Sequence, residues 1–371
     1  MEDPPSNSLI PDLIPDLPDE ISHLIIARVP PIYHRTLCHV SRSWRSFLLG
    51  RLLFTLRSSL HYTEPTLCLH VMSHSKTDSS RIMILNRGHS RSQFLPSPPL
   101  PTALPGSACV TAGPFLFTIG GSRSGSPSNV VQILDMSVGG QWSLGPRMST
   151  ARKNMAACFL DGRIYVIGGC IHSSDVWAES LNPFDRNPQW VPIDSPMDGP
   201  MHLQRSNFMY DSVVVSGQIL AKTFNQDVVA YSLGENTGSC SAWVSVPEGL
   251  KLLRWIGTCA VVNGILYSVY DSCTIKAYDA VTDKWCPVRG IDINLPKFPT
   301  SVKLVNFHGV LCVIWLQSSI ENNKSDLVNW LGIRVTDFGS KGVHGSILWW
   351  EIVALGVPCG SPILHSVVVE F

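Results

Sequence analysis

The chain has no surplus of either charge. Its 28 Lys and Arg balance 28 Asp and Glu, and charged residues make up only 15% of it. A surface that binds nucleic-acid phosphates needs clustered, unneutralised Lys and Arg, so this balance argues against a nucleic-acid partner. Apolar residues at 44% exclude the long, highly charged disordered class. No run approaches the roughly 18 apolar residues that span a bilayer, so no membrane partner is expected. The N-terminal MEDPPSNSLIPDLIPD is acidic and Pro-rich, where a secretory leader would be basic and then apolar. The 11 cysteines are odd in number, contain no CxxC and sit mostly in apolar runs such as Ala157-Cys158-Phe159 and Leu311-Cys312-Val313. They read as buried, reduced thiols, which implies the cytoplasm, the nucleus or both. Also missing are a Gly-rich phosphate loop ending in Lys-Ser/Thr, HExxH, GxSxG and an EF-hand loop. The 12 histidines, His172, His202, His308 and His344 among them, lack metal-ligand spacing. No cofactor, metal or catalytic residue is expected.

What is present divides into two unlike parts. At 371 residues the chain exceeds one typical core unless a repeat absorbs the length. Residues 1–12, with Pro4, Pro5, Ser6, Asn7, Ser8 and Pro11, are expected to be disordered. Residues 13–55 read as a small helical module, 56–65 as a linker, and 66–371 as short strands. Leu17-Pro18-Asp19-Glu20 marks a helix start, because Pro loses nothing in the first turn and acids suit the positive end of the dipole. Ile21, Leu24 and Ile25 follow at i, i+3, i+4 as one apolar stripe, with Ala27 and Arg28 as possible further members. Pro30-Pro31 stops that helix. A second helix is expected from near Tyr33, carrying Leu37 and Val40 and continuing in register through Trp44, Phe47 and Leu48. So small a unit cannot bury all these positions alone, so some of them must meet either the β-domain or a partner.

This segment resembles an F-box. The residues that carry the resemblance are Leu17-Pro18-Asp19-Glu20, Ile25, Val29-Pro30, Leu37-Cys38-His39-Val40 and Ser43-Trp44-Arg45. It departs mildly at Ser41-Arg42-Ser43, where a Cys-Lys-Ser-type stretch is commoner. The resemblance implies that Leu17, Pro18, Ile21, Ile25, Val29, Leu37, Val40 and Trp44 face a Skp-family adaptor.

Downstream, a Gly-containing turn recurs ahead of an apolar, β-rich run. The glycines are Gly113, Gly162, Gly217, Gly264 and Gly309, spaced 49, 55, 47 and 45 residues apart. Asp161-Gly162 and Asn263-Gly264 are hairpin signals. Further on in each unit an acid or Asn precedes a tryptophan, as in Asp135 with Trp142, Asn182 with Trp190, and Asp279 with Trp285. Tyr231 with Trp243, and Trp349-Trp350, complete the series. Gly-Gly occurs twice, at 120–121 and 168–169; elsewhere Thr223-Phe224, Val269-Tyr270 and Ile314-Trp315 replace it.

A period near 50 with a Gly-Gly and a spaced Trp resembles the kelch pattern of a β-propeller. The expected fold is therefore mainly β: a six-bladed kelch-type β-propeller with a small N-terminal all-α F-box module. The first unit lacks an inner strand, and residues 363–371 read as an orphan one, so the two ends are expected to complete one blade and close the ring. Arg152, Arg205 and Arg254 fall ten to twelve residues before their repeat glycines, with Asn154 and Asn207 two positions beyond the first two. These places start inner strands around the channel mouth. The arginines either bond carbonyls between blades or, with the asparagines, hold an acidic or amide-rich segment of a protein substrate.

Taken whole, the chain resembles a plant F-box/kelch-repeat protein. That implies the substrate receptor of an SCF-type ubiquitin ligase, partnered by a Skp-family adaptor, a cullin and a protein substrate. Two other readings remain open: a propeller enzyme, oxidase-like, with an accessory helical hairpin, and an F-box scaffold acting outside the ligase.

Overall fold

The computed structural model describes residues 13–370 apart from 73–79, 88–91, 103, 137–139, 172–175, 195–208, 224–226, 234–241, 253–258, 271–273, 292, 294–301, 318–325, 338–341 and 356–360. The disorder expected for 1–12 lies outside the described residues.

Four short helices open the chain: α1 Asp19–Ala27, α2 Pro31–Leu37, α3 Arg42–Leu48 and α4 Arg51–Ser59. Asp19 and Glu20 occupy the first turn of α1, and Pro18 and Pro30 stand at the caps of α1 and α2. The helix expected from Tyr33 through Leu48 is two helices. Ser41 is extended (φ −156°), and its hydroxyl accepts the Trp44 amide at 3.1 Å, which starts α3 afresh. Leu13, Ile26, Ala27, Phe47, Leu48 and Leu53 form the module's core.

The boundary drawn at residue 55 falls inside α4. Leu53, Leu56 and Leu60 hold helical spacing against that core, so the helix runs on. Arg57, assigned to the linker by sequence, is buried. Its guanidinium donates to Ala27 O (2.9 Å), Val29 O (2.8 Å) and Tyr62 O (2.5 Å) and reaches Glu64 at 3.5 Å. It thus satisfies carbonyls left over at the end of α1 and ties the module to the chain leading into the first strand.

The rest forms six four-stranded antiparallel sheets, each a blade. Blade 2 is Ala108–Ala112, Phe115–Ile119, Val131–Asp135 and Gln141–Leu144; blade 3 is Ala156–Leu160, Arg163–Ile167, Ala178–Leu181 and Trp190–Ile193. Blade 4 is Met209–Val215, Gln218–Thr223, Val228–Ser232 and Ala242–Val244; blade 5 is Ala260–Val262, Ile265–Tyr270, Thr274–Asp279 and Lys284–Pro287. Blade 6 is Lys303–Phe307, Val310–Gln317, Leu327–Asp337 and Val343–Ala354. Blade 1 joins the two ends of the chain. Ile363–Glu370 is its inner strand and pairs with Pro65–Met72, which is followed by Ser80–Arg87 and Ser92–Pro96. Each inner strand approaches the inner strands of both neighbouring blades, so the ring is closed.

Both faces of a blade are covered by neighbours, which explains the near-continuous apolar runs. Along Pro65–Met72, Leu67, Leu69 and Val71 face blade 6 while Cys68 faces blade 2. Every gap between blades holds one apolar cluster of this kind.

Four of the turns from inner to second strand, in blades 3 to 6, use paired positive φ. Asp161-Gly162 (45°, 76°), Ser216-Gly217 (49°, 74°), Asn263-Gly264 (52°, 78°) and His308-Gly309 (51°, 80°) all reverse the chain in this way. Gly169 has a second reason: a Cβ there would come within 2.7 Å of Lys153 O.

Tryptophans latch the perimeter. Trp142, Trp190, Trp243 and Trp285 donate their indole N–H to Pro98 O, Pro146 O, Asp194 O and Gly249 O, each just past the outer strand of the preceding blade. Blade 6 joins blade 5 instead through a backbone bridge between Arg289 and His344. Blade 1 joins blade 6 through Ser92 Oγ, which donates to Glu351 at 2.6 Å.

Candidate interaction surfaces

The helical module and the long loops lie on opposite faces of the ring. The chain enters blade 1 at Pro65, which pairs with Glu370 at the exit end of the inner strand. That end carries the tight turns. Phe54 of α4 sits over one of them, within 4.0 Å of where a Cβ on Gly113 would stand. Thr111, Phe159, Asn306, Val368 and Glu370 line a cavity of about 560 Å³ at the channel mouth on this side. The opposite face carries the connections from second to third strand and from one blade to the next.

The module's outward surface is apolar. Ile21 and Ile25 are each 45% exposed and Val40 is 60% exposed. The stripe read from the sequence is therefore the outer face of α1; Ser22, Ile26 and Ala27 supply the inner one. Pro18 is exposed beside them, and Leu17 and Val29 are half-buried. Leu37 and Trp44 turn inward: both pack on the module's core, and Trp44 donates its indole N–H to Leu13 O at 2.5 Å. These two shape the outward surface from behind.

At the loop face, Arg152 departs from the substrate-binding expectation. It is wholly buried and forms an ion pair with Glu179 (Nε to Oε1, 3.0 Å). Its other donors go to Gly168 O, Trp177 O and Val176 O. Glu179 also accepts from the Ser149 amide and hydroxyl. Every charged atom is matched inside blade 3, so the side chain has no surface to offer a ligand. Asn154 is exposed, holds φ 51° and lies across Gly106. Arg205, Asn207 and Arg254 lie outside the described residues.

The loop at 121–129 is a further candidate contact surface from the sequence, but that reading missed its basic character. The hairpin Ser122–Arg123/Ser126–Pro127 projects from blade 2 with Arg123 exposed. Lys153 Nζ donates to Gly125 O at 3.0 Å, and exposed Arg147 donates to Asn129 Oδ1 at 3.1 Å. Segments 120–130 and 145–155 contain no Asp or Glu, a signal readable from the start.

A buried polar cluster lies in the wall of the ring. His70 and His365 face each other across the closing strand pair, with rings 5.7 Å apart. Cys109 Sγ is 3.4 Å from His70 Nδ1, and His365 Nε2 lies 2.8 Å from Ser107 O. Burial lowers His70 to about 3, with His365 adding to the effect. Burial, then Lys303, lowers His365 to about 4. Burial also pushes the Cys68 thiol up to about 12 and raises that of Cys109. All described cysteines are free thiols. Among the described residues no three His, Cys, Asp or Glu gather as metal ligands, and no helix is long and apolar enough to cross a membrane.

A closed six-bladed propeller bearing a small helical module on its tight-turn face defines the class. Residues 14–55 match the F-box domain family, and residues 66–354 match the FKB95, Kelch-repeats domain family. The chain belongs to the F-box/kelch-repeat proteins. Similar relatives include two F-box/kelch-repeat proteins of Arabidopsis thaliana, each 27% identical. One match covers 95% of this chain and 93% of the relative, the other 92% and 90%. An F-box/LRR-repeat/kelch-repeat protein of the same plant is 30% identical over 86% of this chain and 82% of its own.

Proposed function

We propose that this chain is the substrate-recognition subunit of an SCF-type ubiquitin ligase. Its helical module docks a Skp-family adaptor, which links it to a cullin, and the loop face of the propeller holds the protein to be ubiquitinated. The chain makes and breaks no bonds itself. It raises the effective concentration of substrate lysines near a ubiquitin-carrying enzyme.

One observation carries this reading. The module completes its core with Ile26, Ala27, Phe47 and Leu48 and still leaves Ile21, Ile25 and Val40 in water. Covering that area recovers roughly 25 cal/mol per Å². The basic loops at 120–130 and 145–155, with Asn154 beside them, suit an acidic segment, since Arg forms bidentate pairs with carboxylates.

Co-purification tests it. The full chain co-expressed with a Skp-family adaptor and cullin is expected to give a stoichiometric complex. Ile21→Asp with Ile25→Asp should abolish that complex and leave the propeller's melting transition in place. A wild-type chain that captures no adaptor overturns the ligase reading; one that captures adaptor without cullin leaves the scaffold role.

A further inference from the structure

The cavity on the tight-turn face lies across the ring from the loops proposed to hold the target, and it does not depend on them. Its walls are the ends of inner strands from four blades: Val368 and Glu370 of blade 1, Thr111 of blade 2, Phe159 of blade 3 and Asn306 of blade 6. At about 560 Å³ it has the size of a small-molecule site. Blade 1 contributes through its C-terminal strand, so the cavity exists only once the ring has closed.

A carboxylate and an aromatic wall meet there. Glu370 is exposed at the end of its strand. Among the described residues that line the cavity it is the one carboxylate, and none is Lys or Arg. Among the described residues no cation pairs with it. Arg163 follows Phe159 by one turn, but its guanidinium donates to Ser180 Oγ at 3.2 and 3.0 Å, on the third strand and away from the channel. Asn306 is already committed. Its Nδ2 donates to Val261 O at 2.9 Å, and its Oδ1 accepts from the Gly309 amide at 2.8 Å. On the apolar side, Phe159 meets Phe184 edge-on, with centroids 6.3 Å apart at 82°. Phe184 is 54% exposed. Phe184 and Phe54 of α4 converge on Gly113 at the cavity rim, 3.9 and 4.0 Å from where a Cβ there would stand.

We infer that this cavity binds an organic ammonium ion, a positively charged nitrogen carried on carbon. A carboxylate without a cationic partner attracts the charge by a charge-assisted contact. The phenylalanines cover the carbons around it, and a charge over a ring face gains cation–π attraction as well. One carboxylate beside an amide oxygen already in use suits a compact ammonium better than the planar fork of a guanidinium. It also supplies too few oxygens for a bare divalent metal ion. An anion would be repelled by Glu370. Because Phe54 belongs to the helical module, an occupant reaching that rim touches both parts of the chain.

Calorimetry on the full chain tests this, with choline and a blocked lysine peptide as probes. Each is set against a neutral counterpart, dimethylbutanol for choline and the acetylated form for the lysine peptide. At least one of the two cations is expected to bind one-to-one, about fivefold or more tightly than its counterpart. Binding of choline assigns the site to a free amine, and binding of the peptide alone assigns it to a basic side chain. Glu370→Gln, at an exposed position, should weaken the bound cation about fivefold and leave the melting temperature unchanged. Thr111→Lys places a tethered ammonium in the cavity and should block the probe, which keeps the test intact even if Glu370→Gln disturbs the closing strand. The inference is overturned if neither cation binds, if the neutral counterparts bind equally well, or if either variant, folded, binds the probe as the wild type does.

Discussion

Single residues show how a charged side chain can look like a ligand contact and be a structural tie. Arg57 and Arg152 are both fully enclosed, and both spend their donors on backbone carbonyls and one carboxylate. Removing one partner of a wholly buried pair such as Arg152–Glu179 leaves the other unmatched, at a cost of about 3–5 kcal/mol. Such residues explain why the channel-mouth reading of Arg152 failed. Spacing located the side chain correctly at the start of an inner strand but could not tell whether it turned outward or into the blade. His70 supports a prediction about acidity. It is buried beside Cys68, Cys109 and His365, with Lys303 near His365. Its folded value of about 3 lies below the unfolded 6.5, so the unfolded chain binds the proton more readily. Stability is therefore fully present above pH 6.5 and is lost as pH falls towards 3, by up to about 1.4 kcal/mol per pH unit for each such histidine. Urea denaturation from pH 7 to pH 4 should show that slope, and His70→Gln should flatten it. An unchanged slope in the variant would assign the acid sensitivity to other groups.

At the scale of elements, α1 illustrates how far the sequence could be read. Its apolar residues were plain, yet periodicity alone did not show that Ile21 and Ile25 lie on one side and Ile26 and Ala27 on the other. A short helix with apolar residues on both sides offers two candidate stripes, and only packing on Phe47 and Leu53 chooses between them. The propeller was more legible, because in blades 3 to 6 the first hairpin announces itself through a residue pair at positive φ, and the outer strands of blades 2 to 6 carry a tryptophan. The degenerate units lacked Gly-Gly but kept both signals. The perimeter bridge at Arg289 left no such trace, since it uses backbone groups that any residue supplies. The basic loops on the far face are also elements, and they make a prediction. Arg123→Glu with Lys153→Glu should deplete proteins with acidic segments from affinity captures made under proteasome inhibition, by about tenfold, while the amount of bound adaptor stays constant. Equal recovery of such proteins by wild type and variant would move the contact surface elsewhere on that face.

For the whole molecule, closure matters most. Ile363–Glu370 completes a blade whose other strands were made some 300 residues earlier and buries Ile363 and Val369 in two separate gaps. Deleting 361–371 should abolish soluble expression or lower the melting temperature by at least about 10 °C, and a truncated chain that melts like the full one would refute the closed ring. The same strand sets an order in time. At about 5–20 residues per second, synthesis from Pro65 to Glu370 takes roughly 15–60 s. For most of that interval the helical module is already made and free to fold, while the propeller still waits for its last strand. If the module docks an adaptor as proposed, that docking precedes the moment when the propeller can hold a target. Between the two events the nascent ring exposes the edges of its first blade, and chaperones have that window in which to guard them.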